Sequence, residues 1–207
     1  MLTKENQIYV LETTKQLLPS VLDKIGFDPS LKEVGHSFGE KLEEELVNRL
    51  VSLDDRFAQP TKEAGKGKQT RKQEDLTFLG HHINVKFGYQ KMGRPNMVSF
   101  RRLCESIHSD KIDSYWILSI DGSNNKVYFF NLCEHLDYTN TNYGTGQIML
   151  KEKDFYRNFD QNANYQIEKK EIMKKLSEID RDSYQRHVML KERQHKKQQE
   201  ELFSAYL

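Results

Sequence analysis

The sequence predicts an α/β (α+β) domain in which a mixed central β-sheet is flanked by helices. Three observations lead there. Helical periodicity opens the chain, short alternating strands cluster in its middle, and charged helical sequence closes it. At 207 residues, with 36% hydrophobic and 11% aromatic side chains, the chain can bury roughly 70% of its unfolded surface without disulfides or a structural metal.

In the first fifty residues Leu11, Leu17, Leu18, Val21, Leu22 and Ile25 recur at helical spacing, and Pro19 is expected to interrupt or kink the run. A second helix is expected to follow Gly35-His36-Ser37-Phe38-Gly39. Its apolar stripe is Leu42, Leu46, Val47, Leu50 and Val51, with Glu40, Glu43, Glu44 and Glu45 around it. From Gln59 to Lys72 the composition predicts a flexible basic loop. Leu76–Leu79 and His82–Phe87 read as strands about a turn at Gly80-His81. In the second strand Ile83, Val85 and Phe87 face one side, and Asn84 and Lys86 the other. After the breakers Gly93 and Pro95, Val98–Ile107 reads as a helix. Ser114–Ile120 and Lys126–Leu132 read as strands joined by an Asp121–Asn125 turn. A Gly144-Thr145-Gly146 loop precedes the apolar triplet Ile148-Met149-Leu150. Beyond Asp154 the chain reads as helical to its end, with Ile167, Ile172, Met173, Leu176 and Ile179 on one face. The organisation is one domain, 1–207, with an N-terminal helical segment (1–34), a core (35–150) and a C-terminal helical segment (151–207).

Thirty-two basic against thirty-one acidic residues leave a net charge of +1, which excludes a globally basic, histone-like binding mode. The distribution is uneven. Residues 60–102 hold ten basic and three acidic side chains, a net +7, so the remainder carries −6. Such a run is either a solvated face or a surface for a polyanion. No apolar run is long enough for a membrane span and no signal-peptide layout is present, so a cytoplasmic protein is expected. Cys104 and Cys133 have no CxxC partner and are expected to be buried thiols.

The segment from Glu74 to Lys86 carries the chemistry. Asp75 opens one strand, and Asn84 and Lys86 project from one face of the next. Carboxylate and amide oxygens are hard ligands of the kind Mg²⁺ takes. A lysine on the same face suits orienting a water or stabilising negative charge. Alternatively, Asn84 and Lys86 are the solvated side of an edge strand.

This segment resembles the PD-(D/E)xK superfamily, and within it the type II restriction endonucleases. The pattern there is an acid, about ten residues, a second acid, any residue and lysine. Asp75 matches the first acid and Lys86 the lysine. Asn84 stands in place of the second acid, and Glu74 in place of the proline. Gly39-Glu40-Lys41-Leu42-Glu43 is similar to the glutamate-bearing helix opening of such families, with Glu43 in support of the metal. The resemblance covers about residues 35–150, a restriction-endonuclease-like core. It implies Mg²⁺-dependent hydrolysis of double-stranded DNA, with Asp75, Asn84 and Glu43 at the metal and Lys86 at the nucleophile. The same fold also serves repair and junction-resolving nucleases, and a chain lacking the second acid could bind DNA without cutting it.

The basic residues then become candidate DNA contacts. Lys66, Lys68, Arg71 and Lys72 would hold phosphates from the loop before Asp75, together with Lys91. Arg94, Asn96, Arg101 and Arg102 suit base edges, since arginine reads guanine and asparagine adenine. Tyr143–Gln147 reads either as a structural turn or as a further DNA-facing loop. One site per chain and two strands to cut imply a homodimer. The N-terminal helix or the 167–179 face would form its interface, unless these pack on their own sheet.

Overall fold

The computed structural model describes residues 1–28, 36–60, 75–88, 96–122, 126–161, 163 and 167–203. Helix α1 (Lys4–Lys24) is capped by Thr3, whose hydroxyl accepts from the Asn6 N–H at 3.3 Å, and Glu5 in its first turn suits the helix dipole. Pro19 lies inside α1 without ending it. The proline is exposed, so the Lys15 carbonyl it leaves without a helical donor is on the solvent side of the helix. Helix α2 (His36–Leu53) begins earlier than expected and takes Gly39 into its first turns.

The main sheet has the order β1-β2-β3-β5-β6, built from Phe57–Ala58, Leu76–Phe78, His81–Gly88, Trp116–Asp121 and Lys126–Asn131. β3 and β5 are parallel, with Lys86 beside Ser119, and the other pairs are antiparallel. The β2–β3 turn is Leu79-Gly80 rather than Gly80-His81. Both residues have positive φ, +48° and +78°, as the two-residue turn matching strand twist requires. The parallel β3–β5 step needs a crossover. It runs through β4 (Asn96–Ser99) and α3 (Phe100–His108), so the expected helix from Val98 starts two residues later and its first residues are strand.

β4 belongs to a second sheet, β4-β8-β7, with β7 Thr139–Asn142 and β8 Gln147–Leu150. A 3₁₀ segment (Leu132–Tyr138) links β6 to β7. The closing helical sequence is two helices, α4 (Glu152–Asn158) and α5 (Lys169–Phe203), rather than one continuous run. The 35 residues of α5 span about 52 Å.

Two cores lie on either side of the main sheet. One face packs Ile83, Val85, Trp116, Leu118 and Ile120 against Val10, Leu18 and Val21 of α1 and Leu42, Leu46 and Leu50 of α2. The other packs Ile117 and Phe130 against Leu103 and Ile107 of α3, Phe155 of α4, and Ile172 and Leu176 of α5. Ile167, Met173 and Ile179 join this second core, so both helical segments suggested for a dimer interface pack on their own sheet. The far half of α5 is different: every side chain from Met189 to Glu201 is exposed. On the outer edge of β6, the Gln161 side chain pairs with the Phe129 backbone twice. It accepts the N–H at 3.3 Å and donates to the carbonyl at 2.9 Å.

Candidate active site

Because β2 starts at Leu76 and β3 runs on to Gly88, the far half of β3 extends past its neighbour. Asp75 sits at that step. Its N–H donates to the Ile83 carbonyl at 3.0 Å, and its Oδ2 accepts the Val85 N–H at 2.8 Å. A carboxylate therefore stands where the next backbone acceptor of the ladder would be. Val85 is the residue between Asn84 and Lys86, so the structure brings all three segments of the motif to one stretch of strand. Alternation turns Ile83 and Val85 into the α1/α2 core and sends Asn84 and Lys86 to the opposite face.

On that face Asn84 is 6% exposed and its Oδ1 is enclosed by protein, while Lys86 is half-buried. Among the described residues no carboxylate pairs with Lys86. Ser119 lies beside it on β5, and Tyr128 beside Ser119 on β6. The fully buried Ser119 hydroxyl bonds the Tyr156 hydroxyl of α4 at 2.6 Å. The sequence reading missed this polar row. Its signal was a lone serine in the otherwise apolar run Trp116-Ile-Leu-Ser-Ile120.

Glu43 comes from the other side of the sheet. Phe38 meets Phe87 with ring centroids 5.7 Å apart, and the far end of α2 adjoins β1, so α2 runs antiparallel to β3. Five helical residues advance about 7.5 Å and two strand residues about 6.7 Å. Glu43 is thus level with Val85 and can approach the Asn84/Lys86 face only around the edge where Asp75 sits. His82 shares the face of Asn84. His81 lies 3.4 Å from the Ser114 hydroxyl through Nδ1, and burial lowers its pKa.

Lys66, Lys68, Arg71, Lys72, Lys91 and Arg94 lie outside the described residues. Asn96 opens β4, and Arg101 and Arg102 are exposed on the first turn of α3, where Arg101 pairs with Glu105 at 2.7 Å. The Phe100 N–H donates to the Gly146 carbonyl at 2.9 Å, so the arginines and the β7–β8 turn share one rim. In that turn Tyr143 contacts the rings of Tyr184 and His187, at 5.7 and 5.2 Å.

Burial pushes the Cys104 thiol up to about 11 and the Cys133 thiol up to about 12, so neither is a nucleophile at neutral pH. Among the described residues no group of three or more His, Cys, Asp or Glu side chains is placed to hold a metal ion, and no helix is long and apolar enough to cross a membrane. The Asp75 carboxylate is a hard oxygen donor of the kind Mg²⁺ takes, while the Asn84 Oδ1 is closed off from solvent by protein.

No protein-family model matches the chain, and no curated protein matches it significantly. Among solved structures it is similar to one described as a restriction endonuclease in complex with substrate DNA. The identity is 13%, 78% of each chain is covered, and the TM-score is 0.43.

Proposed function

We propose that this chain is a Mg²⁺-dependent endonuclease of double-stranded DNA, of the type II restriction class, acting as a homodimer. One observation carries the reading: the Asp75 carboxylate docks on the backbone N–H between Asn84 and Lys86. The hairpin brings position 75 beside that N–H, and the residue standing there is the carboxylate of the motif. Asp75 and Asn84 would hold the ion, with Glu43 adding charge from α2. When bound, Mg²⁺ supplies positive charge at the scissile phosphate and acidifies a water. Lys86, with no carboxylate partner among the described residues, is available to orient that water and to offset charge developing on the phosphate. The net +7 of residues 60–102 supports a polyanionic substrate, with Lys66, Lys68, Arg71, Lys72 and Lys91 on phosphates and Arg94, Asn96, Arg101 and Arg102 on base edges.

A second reading is favoured by the enclosed Asn84 amide in place of an acid: the chain binds duplex DNA and does not cut it. Digestion of methylation-free genomic DNA with and without Mg²⁺ separates the two. The expected result is discrete fragments that disappear, by a factor of at least about 100, in Asp75→Asn and Lys86→Ala, while both variants keep the wild-type melting temperature. Asparagine keeps an acceptor for Val85, so its loss of cleavage would not be a folding defect. A smear would point to a repair-type nuclease. Duplex binding in chelator with no cleavage in Mg²⁺ would leave the second reading.

A further inference from the structure

Helix α5 leaves the body of the molecule part-way along its length. In its first half Ile172, Leu176 and Ser183 are buried and Ile179 packs against the second core. The Ser183 hydroxyl accepts the Thr141 N–H at 3.2 Å. Tyr184 and His187 still meet the Tyr143 ring of the β7–β8 turn, and from Met189 to Glu201 every side chain is exposed. The body-facing residues Ile172, Leu176, Ile179 and Ser183 recur at spacings of four, three and four. The same alternation carried onward falls on Arg186, Leu190, Arg193 and Lys197. With 3.6 residues per turn, all eight positions lie in a strip about 100° wide. The side of α5 that is largely apolar over the body therefore becomes cationic where the helix overhangs it, around the exposed Leu190.

Charge collects on this overhang. Arg186 to Lys197 holds five basic side chains and one acidic, a net +4 in a chain whose total is +1. Among the described residues no ion pair engages Lys191 or Arg193. Lys197 meets Glu201 at 3.5 Å with both side chains largely exposed, a pair that salt weakens and a phosphate can replace. Arg186 is steadied by the Asp182 carbonyl at 3.2 Å and the Ser183 hydroxyl at 3.3 Å. The rim beneath is basic too. The Phe100 N–H binds the Gly146 carbonyl of the β7–β8 turn, so the exposed Arg101 and Arg102 stand beside the turn where α5 departs.

We propose that the overhanging half of α5 is an arm that grips the backbone of duplex DNA, with Arg186, Arg193 and Lys197 on phosphates. Arg186 to Lys197 spans about 16 Å of helix, the rise of about five base pairs. Contacts of this kind position a duplex and carry no sequence information. The choice of DNA rests on the nuclease reading, and the stripe rests on the spacing and exposure of α5.

The test measures binding in chelator and cleavage in Mg²⁺ separately. A fluorescent mixed-sequence duplex is titrated with the full chain in EDTA over a salt series. The variants are Arg193→Gln, Lys197→Gln, their double, and Lys191→Gln, since glutamine is a good helix former. Lys191 lies about 120–160° round the helix from Arg193 and Lys197, so its variant removes the same charge from another side. The slope of log affinity against log salt should be shallower by about 0.9 in each stripe variant and about 1.8 in the double. At about 0.1 M salt the double should bind at least roughly tenfold more weakly, while Lys191→Gln matches wild type and every melting temperature is unchanged. In Mg²⁺ the double should cut at the same positions with a raised KM. A double with wild-type slope and affinity overturns the arm, as does a loss in Lys191→Gln equal to that in Arg193→Gln. Either leaves the nuclease reading standing where the wild type cuts. A duplex RNA held more tightly than duplex DNA, or no duplex binding by wild type, overturns the assignment of the partner. Weaker binding by the stripe variants of a wild type that binds but does not cut upholds the arm and removes the nuclease reading.

Discussion

On the α1/α2 side of the main sheet, Ile83, Val85, Leu118 and Ile120 meet Leu42, Leu46 and Leu50, and the interface is apolar. On the other side, aliphatic and aromatic packing is interrupted by Asn84, Ser119 and Lys86, with His135 buried further along. The same strands supply both faces, so backbone geometry does not explain the contrast. Burying a polar group costs free energy unless it is hydrogen-bonded, and here Ser119 has its partner in Tyr156. On the first face the strands contribute only apolar side chains, and the buried Thr14 of α1 bonds the Val10 carbonyl of its own helix. The second gives up some cohesion to hold polar groups in fixed places, and it is the face that the proposed chemistry uses.

The contrast can be broken most directly on the apolar side. Leu46 is fully buried, and Leu46→Ala should cost about 2–5 kcal/mol in urea unfolding. A cost under about 1 kcal/mol would mean that this face is not the closely packed one. The polar side should be the acid-sensitive one. His135 is 3% exposed among Phe130, Phe155 and Phe159, and burial pulls its pKa down to about 4. Between that value and the ordinary value of about 6.5, the unfolded chain binds the proton more readily than the folded one. Stability is therefore complete above pH ~6.5 and declines as pH falls toward 4, by up to about 3 kcal/mol. Urea midpoints at pH 7 and 4.5 should differ more for wild type than for His135→Leu. The smallest effect belongs to the far half of α5, which serves neither face. Its Lys196–Glu200 and Lys197–Glu201 pairs are exposed, at 3.9 and 3.5 Å. Replacing both lysines by alanine should change stability by no more than about 0.5 kcal/mol, measured in the same urea series.

The contrast also marks what the sequence made legible. α1, α2, β3, β5 and β6 carry strong apolar periodicity and were readable from it. β1 is two residues long, and β7 is Thr-Asn-Thr-Asn, with no alternation to read; the β8 ladder and the Ser183 hydroxyl on the Thr141 N–H hold it in place. The sequence predicts helix from Val98, because the strand role of that residue comes from pairing with Ile148, fifty positions away. In the candidate site the facing of Asn84 and Lys86 follows from period two, and Asp75 from the hairpin. Ser119 shows in the sequence only as a lone serine in an apolar run, and its place beside Lys86 is not legible because the β3–β5 register is set through the crossover, not by spacing along the chain.

The Gln161 side chain has an effect beyond its own molecule. The outermost strand of a sheet offers a row of backbone donors and acceptors to any extended peptide that drifts past, and β6, with Val127, Phe129 and Phe130, is otherwise an inviting template. By engaging both backbone groups of Phe129, one glutamine amide occupies the middle of that template. A stray strand would have to displace it before pairing, so the rim of the sheet resists runaway polymerisation without a charged side chain or a proline on the strand's inner residues.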